Sequence, residues 1–282
     1  MELNTILQAA TLMTGLGLIF AGILATAYKF LKVEEDPRLD ILEGLLPGAN
    51  CGACGEPGCR AFSEKLLAED TIPAKCTVNS PEGLEAVASF LGVQAGSIEK
   101  QVARLHCAGG KGFVNDKASY LGISSCRAAF FVNGGGRACT YGCLGLSDCE
   151  VACGFDAIAM NSDGLPVVDV DLCTACGDCV TVCPLDLFKL QPLSQPLLVQ
   201  CNSPLTGDAA KELCKVACDG CSRCVMDAPE GSMEMKNGLP QVIKPEQVSA
   251  EATNRCPTGA IQWVPQNQFS EPEKLCLSGK PS

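Results

Sequence analysis

The 282-residue sequence is short of the side chains on which most enzymes and nucleic-acid binders rely. It has one histidine, one tryptophan and three tyrosines. That poverty excludes a large aromatic core, so metal ligation would have to supply much of the folding energy, as it does in small metallo-domains. Basic residues are also scarce: 21 Lys and Arg face 32 Asp and Glu, a formal net charge of −11. No basic stripe is present to neutralise phosphates, which excludes nucleic acid as a partner. No G-x-G-x-x-G follows a strand, so no nicotinamide site is read. Gly109-Gly110-Lys111-Gly112 lacks both the P-loop spacing and the Ser or Thr after its lysine, which argues against nucleotide binding there. No catalytic acid, base or nucleophile stands out, and the single histidine, His106, reads as a surface or packing residue. From Asn4 to Tyr28 there is no charge at all. The 23 residues Thr5 to Ala27 suffice to cross ~30 Å of hydrocarbon at ~1.5 Å per residue. The start is acidic (Glu2) and Lys29 directly follows the apolar run, which argues for an anchor over a cleaved signal peptide. Lys29 and Lys32 place the bulk of the chain on the cytoplasmic side of a single span.

Cysteine is what the chain has in excess. Its 21 cysteines are odd in number and grouped as C-x2-C, which favours metal over disulfides and a reducing compartment. The clearest run is Cys173-x2-Cys176-x2-Cys179-x3-Cys183-Pro184, the signature of bacterial ferredoxins. Three close thiolates wrap one cubane [4Fe–4S] cluster, and the fourth, beside proline, reaches the other cluster of a pair. An earlier run, Cys139-x3-Cys143-x5-Cys149-x3-Cys153, is a stretched version of the same plan. Crossed ligation then groups Cys139, Cys143, Cys149 and Cys183 at one cluster, and Cys153, Cys173, Cys176 and Cys179 at the other. Nearer the anchor stand Cys51, Cys54, Cys59 and the distant Cys76, three close thiolates and one remote, which suits iron–sulfur better than zinc.

The plan recurs once more in reduced form. Cys218-x2-Cys221-x2-Cys224 opens it, Ala228 stands where a fourth cysteine would precede Pro229, and Cys256-Pro257 closes it. The missing positions all belong to one cluster, and Cys218, Cys221, Cys224 and Cys256 form the whole ligand set of the other. These sixteen cysteines make four clusters. Cys107, Cys126, Cys201 and Cys214 remain as isolated thiols or as a fifth cluster bringing the middle segment against the 201–214 connector, and Cys276 reads as a free thiol.

The expected fold class is α+β. A transmembrane anchor (1–32) precedes a small helical four-cysteine domain (33–95) and a Gly-rich connecting region (96–136). A two-cluster ferredoxin-like domain of pseudo-twofold βαβ plan (137–190), a degenerate one-cluster repeat (191–264) and a polar tail (265–282) follow.

The order of anchor, Pro47-Gly48-Ala49-Asn50-Cys51 run and tandem ferredoxin runs resembles the B-subunit family of the Rnf complex. That complex is the membrane-bound ferredoxin:NAD oxidoreductase that pumps Na+ or H+. The four-cysteine domain alone also resembles one in corrinoid iron–sulfur proteins. The resemblance implies an iron–sulfur electron-transfer subunit of a translocase, with no catalytic site of its own, in the bacterial cytoplasmic (inner) membrane. It also implies soluble ferredoxin as donor, and a membrane core, NAD-binding and flavin subunits as partners. The incomplete last repeat departs from the doubled plan and bears on the electron route near the C-terminus. Three other readings are an anchored polyferredoxin carrier of another oxidoreductase complex, an iron–sulfur sensor or scaffold, and a zinc-rich module. A sensor would need an output domain, which is not evident, and zinc–thiolate sites are colourless. Lys211, Lys215 and Arg223 offer a weak basic patch for an acidic carrier, and read first as solvated charge.

Overall fold

The computed structural model describes residues 3–31 and 36–269; Cys276 lies outside the described residues. The uncharged segment forms one helix, α1 (Leu3–Leu31). Its stretch Ala10–Phe30 is long and apolar enough to cross a membrane, and none of it is buried against the rest of the chain. Two of its threonines return their hydroxyls to the preceding turn, Thr11 to Leu7 O at 3.0 Å and Thr14 to Ala10 O at 2.7 Å. Those bonds satisfy the two hydroxyl donors within the helix itself, as an apolar surrounding requires.

Residues 36–96 build a helical unit from α2 (Arg38–Leu45), α3 (Cys59–Leu67), a 3-10 turn at Pro73–Lys75 and α4 (Pro81–Leu91). Helix α4 starts on Ser80, whose hydroxyl accepts the Gly83 N–H at 3.1 Å, and stops at Gly92 in the left-handed region. Leucines at helical spacing on α2 turn inward: Leu42 and Leu46 meet Phe62 and Leu66 of α3 and Val87 of α4 around Cys76.

Two further units share one plan. The first has β1 (Gln101–Leu105), α5 (Cys126–Phe131), α6 (Asp148–Ala152), β2 (Ile158–Met160), β3 (Pro166–Val168), α7 (Asp178–Val182) and β4 (Phe188–Pro192). Strands β2 and β3 form a hairpin, and β4 returns antiparallel to β1 with Phe188 opposite Leu105. The second has β5 (Leu197–Val199), α8 (Gly207–Leu213), α9 (Arg223–Asp227), the hairpin β6 (Met233–Lys236) and β7 (Leu239–Val242), 3-10 turns at Pro245–Gln247 and Ala250–Thr253, and β8 (Ile261–Trp263) paired with β5. Strand β1 therefore lies inside the stretch expected to be a connecting region. Its residues Val102 to Leu105 are buried on both faces and include a buried Arg104, so no alternation betrays it.

The two units are tied by a strap. After β8, Gln266 O and Val264 O accept the Arg104 guanidinium at 2.5 and 3.2 Å. The buried Gln268 amide accepts Leu105 N–H at 3.1 Å and donates to Leu105 O at 2.9 Å, as a neighbouring strand would. Residues 265–269, expected to belong to a polar tail, are thus docked against β1. A second seam runs from 108 to 115: Ala108 N–H reaches Gln200 O at 3.1 Å, Asn115 N–H reaches Leu213 O at 3.1 Å, and Lys215 N–H reaches Phe113 O at 2.8 Å. Replacing Gln268 with Leu leaves a buried backbone N–H and C=O unpaired, at a cost of about 2 kcal/mol. The thermal midpoint should fall by about 4–8 °C; an unchanged midpoint would contradict the docked strap.

Candidate metal centres

Three cavities, each of about 330 Å³, are lined by four cysteines apiece. Cys51, Cys54, Cys59 and Cys76 line the one in the helical unit. Gly52 and Gly55 sit at φ of 73° and 83°, which lets the backbone coil tightly between thiols. Cys59 opens α3 with its N–H held by Asn50 Oδ1 at 2.8 Å. A Cβ at Gly58 would stand 2.9 Å from that same Oδ1, so the loop demands glycine there. Cys153, Cys173, Cys176 and Cys179 line the second cavity, whose loop turns on Ala175 and Gly177 at positive φ. Cys218, Cys221, Cys224 and Cys256 line the third, with Gly220 and Ser222 in the same conformation.

The remaining thiols regroup. Cys143 lies within electrostatic reach of Cys126 and Cys183, and Cys149 of Cys143 and Cys126. The Cys126 sulfur accepts the backbone N–H groups of Leu146 and Asp148. The Asp148 carboxylate in turn accepts Ser125 Oγ at 3.0 Å and Arg127 N–H at 3.1 Å. The Cys126 loop is thereby fastened to the loop carrying Cys143 and Cys149. Cys139 is elsewhere, in a buried cluster with Cys201, Cys214, Val114 and Ala210, and next to Cys107. Cys139, expected with Cys143, Cys149 and Cys183, packs with Cys201 and Cys214, and Cys126, expected with Cys107, Cys201 and Cys214, lies within reach of Cys143, Cys149 and Cys183. The cause is the second seam. Ala138 N–H bonds Asn115 O at 2.8 Å, and Val114 bridges Cys214, so residues 138–139 are pulled toward the 213–214 turn.

Burial dominates the chemistry of these thiols. It pushes Cys107, Cys179 and Cys218 up to about 12, and Cys143 and Cys224 up to about 11, from an ordinary 9.0. Amides are aimed at the sulfurs, among them Gly109 and Cys143 N–H on Cys107 Sγ at 3.4 and 3.3 Å and Leu187 N–H on Cys183 Sγ at 3.5 Å. Such bonds favour a negatively charged sulfur and tune the potential of a bound cluster. Among the described residues no three Cys, His, Asp or Glu side chains close on a single ion position. Tetrahedral zinc would need thiolate sulfurs only about 3.8 Å apart, given its ~2.3 Å bonds. Four sulfurs round a wider apolar cavity fit a cubane instead. His106 is buried, its pKa pushed down to about 4 by burial, and it packs as a neutral ring beside Gln191.

The raised thiol pKa values have a definite sign. Folding favours the protonated thiol, so this contribution is complete below pH 9 and is lost as pH climbs toward 11–12. The iron-free chain should therefore show a lower thermal midpoint at about pH 10.5 than at about pH 8.5, whereas the iron-loaded chain, whose sulfurs are already thiolates, is spared this loss. Equal midpoints for the iron-free chain would contradict desolvated thiols.

Comparison with known proteins agrees with this chemistry. The family model "Putative Fe-S cluster" matches residues 46–78, which span the first quartet, and "4Fe-4S binding domain" matches residues 165–188. The chain is 41% identical over 216 residues to the B-subunit of the Na(+)-translocating ferredoxin:NAD(+) oxidoreductase complex of Acetobacterium woodii, covering 77% of this chain and 65% of that protein. It is 38% identical over 266 residues to the B-subunit of the proton-translocating ferredoxin:NAD(+) oxidoreductase complex of Clostridium ljungdahlii, covering 93% and 94%. The B-subunit of an ion-translocating oxidoreductase complex of Methanosarcina acetivorans is 32% identical over 260 residues, covering 92% and 98%.

Proposed function

This chain belongs to the B-subunit family of ion-translocating ferredoxin:NAD(+) oxidoreductase complexes, and we propose that it is the subunit that carries electrons from reduced ferredoxin toward the membrane partners of such a complex. The observation behind this reading is the series of separate four-cysteine cavities joined to a membrane-length helix. Helix α1 anchors the chain by a single span, with the cysteine-bearing bulk on the cytoplasmic face of the bacterial inner membrane, where Lys29 and Lys32 would hold it. Soluble ferredoxin is the donor; a membrane core, an NAD-binding subunit and flavin subunits are the partners. The two repeated strand–helix–hairpin–strand units are ferredoxin-like modules, the second retaining one cluster.

A [4Fe–4S] cluster, when bound, supplies one-electron storage at low potential. The chain's own residues do the rest. The quartets Cys51/Cys54/Cys59/Cys76, Cys153/Cys173/Cys176/Cys179 and Cys218/Cys221/Cys224/Cys256 supply thiolates. The apolar walls exclude water, and the amides set the potential. Thr77 Oγ1 donates to Thr174 O at 2.6 Å. That contact joins the residue after Cys76 to the residue after Cys173, and so sets the anchored unit beside the first ferredoxin-like module. Ion movement and NAD reduction belong to the partners, since no nicotinamide motif is present here.

The full chain purified anaerobically should be brown and should bleach on mixing with reduced ferredoxin. A colourless, zinc-loaded chain would contradict the reading. Cys59→Ala should lose about four irons and abolish ferredoxin:NAD activity in the assembled complex; retained activity would show that electrons bypass the anchored unit. Cys256→Ala should also remove about four irons while sparing the other centres. An unchanged iron content would break the last quartet.

A further inference from the structure

We propose that Cys107, Cys139, Cys201 and Cys214 hold a further [4Fe–4S] cluster at the seam between the two ferredoxin-like modules, and that Cys126 joins Cys143, Cys149 and Cys183 at the neighbouring one. The proposal rests on the electron-transfer reading above and adds a centre that no ferredoxin-type spacing announces.

All four seam cysteines are buried, at 6–9% exposure, and come from four separate places in the chain. Cys107 follows β1 and Cys201 follows β5, so the two modules contribute thiols from equivalent positions. Cys214 ends α8, and Cys139 is drawn in by the bond from Ala138 N–H to Asn115 O. The Cys214 sulfur lies within electrostatic reach of Cys139 and Cys201, and Cys107 of Cys139.

Two glycines line the space between them. A Cβ at Gly109 would stand 3.2 Å from Cys214 Sγ and 3.6 Å from Cys107 Sγ; one at Gly142 would stand 3.4 Å from Cys139 Sγ and 3.7 Å from Cys107 Sγ. Neither glycine has a positive φ; at Gly109 the close approach to the Cys214 sulfur is what calls for glycine, and at Gly142 a Cβ would rest in ordinary contact with two sulfurs. Four isolated thiols buried as ordinary small hydrophobes would not need this cradle, nor two amides directed at the Cys107 sulfur. The neighbouring quartet has its own tie, the Leu146 and Asp148 amides on the Cys126 sulfur.

The consequence is a continuous file of five centres. The Thr77–Thr174 bond joins the residues that follow Cys76 and Cys173. Cys149 lies in reach of Cys179, Cys107 of Cys143, and Cys218 of Cys201. The seam cluster therefore bridges the last-module centre and the first module. Clusters held by these cysteine groups would pass single electrons from reduced ferredoxin along the file, each donor losing the electron its neighbour gains.

The test is iron and acid-labile sulfide per full-length chain, purified anaerobically. About 20 irons is expected, and about 16 overturns the seam cluster while leaving the electron-transfer reading intact. Zinc in place of iron overturns that reading itself. The wild-type count requires no variant to fold. The grouping is read from two double variants. Cys139→Ala with Cys201→Ala should lose about four irons, as should Cys126→Ala with Cys183→Ala; a loss of about eight from either pair would separate the partners and overturn the grouping.

Discussion

The structure depends on the convergence of cysteine sulfurs in dry spaces. A buried thiol is costly to ionise, and the desolvation that raises Cys107, Cys179 and Cys218 to about 12 measures that cost. A metal cluster resolves the conflict, because the thiolate is then satisfied by iron and by directed amides. The rest of the fold can be small for that reason. The four buried clusters of side chains each contain cysteine, and most of their other members are Ala, Val, Leu and Ile. With so few aromatics, cysteine loops take the place that large side chains fill in an ordinary core.

Holding several such centres in line requires rigid joints between small units. Here the joints are backbone pairings and buried polar groups more than surface ion pairs, which contribute little. Arg104 is enclosed and gives its guanidinium to the carbonyls of Val264 and Gln266, and Gln268 imitates a strand against Leu105. The seam from residue 108 to 115 adds main-chain bonds to Gln200 and Leu213. Both joints fix the distance between thiols that arise far apart in the chain, and electron transfer is acutely sensitive to distance.

What the sequence disclosed follows from how local each feature is. The three-cysteine loops could be read directly, since their sulfurs are close in sequence, and the structure places each loop with its remote fourth cysteine around one cavity. The uncharged run of α1 and the inward leucines of α2 were equally plain. Strand β1 was hidden by its buried arginine, and the 265–269 strap by its polar composition. The packing of Cys139 beside Cys201 and Cys214 was hidden for a deeper reason. The spacing of Cys139 from Cys143 imitates a ligand run, while the contacts that separate them, Asn115 with Ala138 and Asp148 with the 125–127 loop, are tertiary. The signal available was Gly109, two residues after Cys107, whose need emerges only once the Cys214 sulfur is in place beside it.

The central claim is that the chain folds round iron clusters set in file. Anomalous diffraction at the iron edge, from crystals of the full chain grown without oxygen, tests it most directly. The account predicts five compact iron peaks, one inside each cysteine group, ordered from the Cys51–Cys76 centre through the two first-module centres and the seam to the Cys218–Cys256 centre. Peaks lying outside these groups, or a signal at the zinc edge in their place, would contradict it.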